Sequence, residues 1–383
     1  MSFSTLKISD RLISKLDSAN ITSPTEIQRL VIPHIIERED ILIRSKTGSG
    51  KTLAYLLPLV ERLHKGSTTL ILLPTRELAQ QIKTICSSLL EGSTMHCALI
   101  HGGVEYTQQY AALASQPEII ISTPGRLIDL ISQHNVEIPE LDALVLDEAD
   151  QMVEMGFVDA ITLLAAKRRA NAQTISISAT MPERLEFILH EIAPKLKRLE
   201  LGGRVASTIE HRGYFVERTM MDHLLLHILK SDNPSQAIIF TRSRKMAERL
   251  TTLLIDNGIA AEAMHSDRSQ TAREHIISRL RSAETRIVVA TDLIARGIDI
   301  DSISHIYNYG LPQSPELYIH RIGRTARAGR TGIAVTLCIP EDKPLLDATC
   351  KLMHQHIAMS LNHPYITPNV SKTLSERGRA KKK

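Results

Sequence analysis

Short apolar runs rich in Ile, Leu and Val punctuate the chain, and between them the hydrophobic positions recur at helical spacing. Runs at 40–44, 68–73, 95–100, 118–122, 143–146 and 174–178 predict strands, with helices between them, for example over 53–64 and 77–90. Continuous apolar strands alternating with helices argue for parallel sheets covered by helices on both faces. The rhythm breaks at Leu201-Gly202-Gly203-Arg204, which reads as a hinge or linker. It resumes with runs at 236–240, 260–264, 286–290, 304–308 and 332–338. The expected architecture is therefore α/β in two domains, 1–203 and 204–360, followed by a basic tail at 361–383.

Composition narrows this only a little. Hydrophobic residues make up 43% of the 383, enough for a core in each half, and with no Trp and 3% aromatics that packing is aliphatic. No apolar run has the length of a membrane span, and the opening MSFSTLKISD lacks a signal-peptide apolar region, so a cytoplasmic chain without membrane partners is expected. Cys86, Cys97, Cys338 and Cys350 show no Cys-x-x-Cys spacing, which points to neither a disulfide framework nor a zinc site. The net charge of +4 is uneven: six Lys and Arg against Glu376 give +5 over 372–383, leaving −1 for the preceding residues. Polyanion binding by the body must then come from locally placed groups, with the tail as a solubilising end or a phosphate-binding arm.

Two motifs bring in chemistry. Residues 45–52 read Ser-Lys-Thr-Gly-Ser-Gly-Lys-Thr, a phosphate-cradling loop. Thr47, Gly48, Ser49 and Gly50 let backbone amides and a helix N-terminus surround the β- and γ-phosphates; Lys51 adds positive charge, and the Thr52 hydroxyl is placed to ligate Mg²⁺. Residues 144–150 read Leu-Val-Leu-Asp-Glu-Ala-Asp, a strand ending in carboxylates. Asp147 would hold the metal and Glu148 polarise the attacking water. The second half repeats the strand–helix rhythm without a second phosphate loop, so it is expected to supply groups to a triphosphate held by the first. Arg321, Arg324 and Arg327, read on a helix, would share one face and act as arginine fingers on the γ-phosphoryl group.

With Asp147-Glu148-Ala149-Asp150 on the page, the chain resembles the DEAD-box RNA helicases, over Phe3 to about Arg330. The resemblance rests further on Pro24–Gln28, Pro74–Ala79, Gly102-Gly103, Thr123–Arg126, Ser178-Ala179-Thr180, Phe240-Thr241, Gln270 with Arg273, Ala290–Asp292, Arg296–Asp299 and the arginine segment. It implies two tandem RecA-like domains, each a mostly parallel sheet with helices on both faces. It also implies ATP and Mg²⁺ as cofactors, with Gln28 reading adenine and Asp299 accepting from the ribose hydroxyls. An amide matches the donor and acceptor of adenine and mismatches guanine.

By the same resemblance, RNA is gripped through its backbone with little base reading. Pro74, Thr75, Arg76, Gly102, Gly103, Thr123, Pro124, Gly125 and Arg126 serve in the first domain, and Thr241, Arg242, Gln270, Arg273 and Thr291 in the second. Asp150, Ser178, Thr180 and His320 would couple the two ligands. Three departures stand out. Ile21 replaces the usual aromatic residue on adenine, Ser45 a small Ala, and Ala326 the usual Gly between the arginines, a change that a helix would favour. The implied activity is an RNA-dependent ATPase that unwinds short duplexes or remodels RNA–protein complexes, with ribosomal or RNA-decay complexes as expected partners. A DNA helicase and an ATP-gated RNA clamp are the alternatives.

Overall fold

The computed structural model describes residues 2–44, 49–134, 136–200, 209–292, 303–326, 330–368 and 370. The chain divides into two compact units, Met1–Gly203 and Arg204–Lys383.

The first unit is built on a seven-stranded sheet. Its strands are β1 (Ile41–Arg44), β2 (Thr69–Leu72), β3 (Cys97–Ile100), β4 (Ile119–Ser122), β5 (Leu141–Leu146), β6 (Arg168–Ser178) and β7 (Lys197–Glu200). Their order is β3-β4-β2-β5-β6-β1-β7, and every pair is parallel. Alternate side chains of each strand enter opposite cores. Ile41, Ile43, Ile71, Ile121 and Val145 face the helices Glu26–Ile36, Lys51–Glu61 and Arg76–Leu90. Leu42, Leu70, Leu72, Ile120 and Leu144 face Pro124–His134, Val158–Ala165 and Glu183–Ile192. Each such aliphatic side chain, fully removed from water, contributes about 1.5–3 kcal/mol. This is why the central strands read as unbroken apolar runs.

The second unit repeats the plan with β8 (Ile209–Phe215), β9 (Ala237–Thr241), β10 (Ala261–Met264), β11 (Ile287–Thr291), β12 (His305–Tyr309), β13 (Gly332–Cys338) and β14 (Ala358–Ser360). The order is β10-β11-β9-β12-β13-β8-β14, again all parallel. Helices Met221–Asp232 and Arg244–Asp256 cover one face. Gln270–Arg281, Pro315–Ile322 and Lys343–Met353 cover the other. The packed chain continues past residue 360, where the sequence placed the start of the tail. Val370 is buried in the core beside Leu346 and Met353, and the His363 ring hydrogen-bonds Phe215 O at 2.8 Å. The basic cluster at 372–383 lies outside the described residues.

The predicted helix over the arginine segment is corrected. The helix Pro315–Ile322 ends at Gly323, and Ala326 has φ 56°, in the left-handed region. Arg321 and Arg324 therefore do not continue along one helical face. A β-carbon in that region clashes with the following carbonyl at about 1–2 kcal/mol. Ala326 is thus a strained replacement for glycine, not the favourable one that a helix would have made it.

Candidate functional site

All strands of a parallel sheet end at the same edge, and the register of the first sheet brings its motifs level there. Arg44 pairs with Ser178, Leu146 with Ser176, Leu72 with both Leu146 and Ser122, and Ile100 with Ser122. The segments that follow these ends are the phosphate loop, Asp147–Asp150, Ser178–Thr180, Pro74–Arg76, Thr123–Arg126 and His101–Gly103. Sequence positions over a hundred residues apart thus converge because the strands stop together.

Of the loop, Ser45, Lys46, Thr47 and Gly48 lie outside the described residues. Gly50 has φ 92° and caps the helix Lys51–Glu61, whose N-terminal end carries the positive pole of its backbone dipole. Gln28 is 1% exposed and fixes the loop from behind. Its Nε2 donates to Gly50 O at 3.1 Å, its Oε1 accepts from Thr25 N at 2.9 Å, and Thr25 Oγ1 donates to Ser49 O at 2.9 Å. A β-carbon on Gly50 would come within 2.7 Å of Gln28 Nε2. The amide expected to read a base is here engaged with the loop and keeps one N–H and one lone pair for anything else. Ile21 packs half-buried against the first core.

Asp147 is buried, with Oδ2 accepting from the Tyr55 hydroxyl at 2.9 Å and Oδ1 from Glu148 N at 3.0 Å. Burial, then the neighbouring Glu148, pushes its carboxyl up to about 6, while Lys51 and the Tyr55 hydroxyl pull the other way. A buried acid held partly neutral in this way is relieved by a bound cation. Tyr55 was not singled out in the sequence, although it stands four residues after Lys51 on the same helical face, a spacing that could have revealed it. Glu148 has φ 53° and ψ 50°, and its Oε2 is buried without a hydrogen-bond partner. Backbone strain beside an unmatched carboxylate oxygen suits a group that must present one lone pair to a reacting molecule.

Asp150 is 1% exposed, and both of its oxygens are engaged. Oδ1 accepts from Gln151 N at 3.0 Å, and Oδ2 from Thr180 N at 2.9 Å and Thr180 Oγ1 at 2.7 Å. Ser178 Oγ donates to Thr180 O at 2.5 Å. Three of the four residues expected to couple the ligands form one connected network.

The segments expected to hold RNA also touch one another. The Arg76 guanidinium lies against the Gly102-Gly103 backbone, where added β-carbons would meet it at 2.7 and 2.5 Å. Gly103 has φ 85°, so this close approach requires glycine twice over. Thr75 caps the helix Arg76–Leu90, its Oγ1 accepting from Leu78 N at 3.4 Å. Arg126 stacks 3.6 Å over the Tyr106 ring and donates to Val104 O at 2.5 Å, while Tyr106 OH donates to Asp129 at 2.6 Å. Pro74 and Thr123 are buried, and Pro124 and Gly125 open the helix Pro124–His134.

In the second unit, Thr241 and Thr291 face each other across β9 and β11. Arg242 donates to Leu311 O at 2.7 Å and pairs with Asp342 at 2.8 Å. Gln270 and Arg273 sit in the first turn of Gln270–Arg281, with Gln270 Nε2 donating to Glu274 at 2.9 Å. Arg324 is 4% exposed, its Nε donating to His320 O at 3.3 Å, and His320 is buried beside it. Arg327 and Asp299 lie outside the described residues.

The expected finger role of Arg321 is corrected. Its guanidinium pairs bidentately with Asp292 at 2.5 and 2.9 Å, donates to Asn308 Oδ1 at 3.1 Å, and lies 5.1 Å from the Phe240 ring centre. Those donors are committed inside the unit.

The model of the DEAD/DEAH box helicase family matches residues 25–188, and that of the helicase conserved C-terminal domain matches residues 220–329. The chain is 34% identical over 347 residues to the ATP-dependent RNA helicase CshA of Listeria monocytogenes, covering 89% of this chain and 66% of that protein's length. It superposes on Dbp5 of S. cerevisiae, solved bound to RNA and ADP BeF3, with a TM-score of 0.85, 26% identity, and coverage of 97% of this chain and 99% of the solved Dbp5 chain. A DEAD box protein from the hyperthermophile Methanococcus jannaschii is 31% identical, with a TM-score of 0.55 and coverage of 94% and 99%. No described helix is long and apolar enough to cross a membrane. Taken with two all-parallel sheets and the convergence of these motifs on one sheet edge, the matches place the chain in the DEAD-box RNA helicase family.

Proposed function

We propose that the chain is an RNA-dependent ATPase that locally unwinds short RNA duplexes or remodels RNA–protein complexes through ATP-driven closure of its two units on single-stranded RNA. The observation that carries this reading is the division of the chemical groups. Gly50, Lys51, Asp147 and Glu148 lie on one edge of the first sheet, whereas Arg324 belongs to the second unit. Neither described unit holds a full set for γ-phosphoryl transfer.

ATP and Mg²⁺ fit the donors present. The left-handed turn at Gly50 carries the chain into the N-terminus of the helix led by Lys51, and the Asp147 carboxyl is buried beside Glu148. Thr47 to Lys51 would hold the phosphates, Thr52 and Asp147 the metal, and Ile21, Gln28 and Asp299 the adenosine. Held there, the metal would supply positive charge to offset that of the phosphates. Glu148 accepts a proton from the attacking water at its unpartnered Oε2. Arg324 and Arg327 stabilise charge on the equatorial oxygens. The Asp150–Thr180–Ser178 network, with His320, transmits occupancy between the nucleotide and the RNA.

The RNA backbone is taken by Thr75, Arg76, Gly102, Gly103 and Thr123–Arg126 in one unit and by Thr241, Arg242, Gln270, Arg273 and Thr291 in the other. The RNA in the Dbp5 structure supports this assignment. Ribosome assembly or RNA turnover in the cytoplasm is the proposed setting, and crosslinking in cells would identify the targets.

The test is ATP hydrolysis by the full chain alone, with single-stranded RNA, and with DNA of the same sequence, alongside release of a labelled strand from a short RNA duplex. RNA-selective stimulation with ATP-dependent strand release is expected. Hydrolysis indifferent to RNA rules the reading out.

A further inference from the structure

Cys97 opens β3 at the border of the first sheet, and its sulfur is ringed by donors. Lys83 Nζ donates to Cys97 Sγ at 3.2 Å, the Ser87 hydroxyl lies 3.6 Å from it, and the buried Cys86 thiol is its neighbour in the same core. Lys83 also donates to Ser87 Oγ at 3.1 Å, which fixes the ammonium over the sulfur. Lys83, Cys86 and Ser87 all come from the helix Arg76–Leu90, where their three- and four-residue spacing puts them on one face. The charged pair on the adjoining strand end, His96 and Glu118, is closed on itself at 3.4 Å.

An ammonium and a hydroxyl within hydrogen-bonding reach of one sulfur favour its thiolate. The neighbouring Cys86 is the largest influence lowering the Cys97 thiol, to about 6, with Ser87 and Lys83 adding to it against the burial that opposes it; Cys86 itself is pushed up. Cys338, buried without such a setting, is pushed up to about 12.

The geometry points to Cys97 and Cys86 as a peroxide-sensitive thiol pair, with Cys97 the attacking sulfur and Cys86 the resolving thiol. The Cys97 thiolate attacks one peroxide oxygen and breaks the O–O bond, leaving a sulfenic acid and a hydroxide that leaves as water. The Cys86 sulfur then attacks Cys97 Sγ, forming the S–S bond and expelling a second water that carries the Cys86 proton. The two thiols give up two electrons, and one peroxide becomes two waters. Cys86 is fully buried and Cys97 nearly so, which disfavours a bulky disulfide oxidant and leaves a small peroxide as the reagent. The bridge would tie the helix that begins at Arg76 to the strand that leads into Gly102-Gly103, segments already in contact at their other ends.

The full-length protein is treated with hydrogen peroxide, digested without reductant, and mapped by mass spectrometry. A Cys86–Cys97 linked peptide lighter by two hydrogens and restored by reductant is expected, with Cys97 reacting about tenfold faster than Cys350 at neutral pH. Cys86→Ser should stop at a dimedone-trapped sulfenic acid on Cys97, and Lys83→Met should slow the Cys97 reaction several-fold while the melting temperature confirms folding. Equal rates at Cys97 and Cys350, or a Cys97 sulfenic acid that persists unlinked in the unsubstituted protein, overturns the assignment.

Discussion

Adding seven to each strand number of the first sheet gives the strand order of the second, so the two units are the same scaffold used twice. Their edges differ. After β1 the chain reaches Gly50 and a helix led by Lys51; after β8 it passes Val216 to Met220, without a glycine, into the helix led by Met221. After β5 come Asp147 and Glu148, whereas after β12 comes Gly310. The corresponding place in the second unit is a cavity of about 350 Å³ bordered by Arg218, Asp222, Arg242, Arg249, Tyr309 and Asp342. Asp222 there is held by Arg249 at 2.5 and 2.9 Å and by the Tyr309 hydroxyl at 2.6 Å, and Asp342 holds Arg242. A parallel sheet offers every loop at one edge, but the loops decide whether that edge meets a ligand or closes on its own ion pairs.

The sharpest way to break this contrast is Arg324→Ala, which removes the second unit's described contribution. Hydrolysis should fall by about 10³-fold or more while ATP affinity changes far less. A normal rate in a variant that still melts like the parent would make the first unit self-sufficient. Next is Glu148→Gln, which keeps the shape but removes the base; turnover should drop by about 10²–10⁴-fold with ATP binding retained in equilibrium titration.

A smaller effect is expected from acidity. Since Asp147 titrates at about 6, and only its ionised form attracts a cation, Mg·ATP affinity should weaken as pH falls through that value. Tyr55→Phe deletes a donor to the ionised carboxylate and should move the midpoint upward; a fixed midpoint would remove Tyr55 from the site. The mildest change is Ala326→Gly, which relieves a left-handed alanine and should stabilise the second unit by about 1 kcal/mol in denaturant melts. A loss of stability there would show that the turn tolerates its alanine.

Much of this was legible in sequence, for identifiable reasons. Strands sandwiched between helices must be apolar throughout, so β1, β2, β4, β9 and β11 announced themselves. Lys197–Glu200 did not, because an edge strand presents alternate charges to water, and Ile209–Phe215 hid behind Glu210, His211 and Arg212. β6 begins earlier than its apolar run because Arg168–Asn171 sit at its half-exposed start. The phosphate loop and the carboxylates were readable because their chemistry demands fixed local spacing. The contacts of Arg76 with Gly102-Gly103 and of Asp150 with Thr180 span gaps that no local pattern encodes. The arginine segment misled because periodicity carries no mark of where a helix stops, and Gly323 was the overlooked cue.

Arg321 has given up any outward role, and that surrender has a use. With its fork clasped by Asp292 and Asn308, the end of the helix Pro315–Ile322 becomes a fixed mount for the turn that carries the buried Arg324. A lysine there could hold only one carboxylate oxygen at a time and would let the mount swivel. The proposed finger role of Arg324 would then lean on an acid, Asp292, that has no part in the chemistry itself.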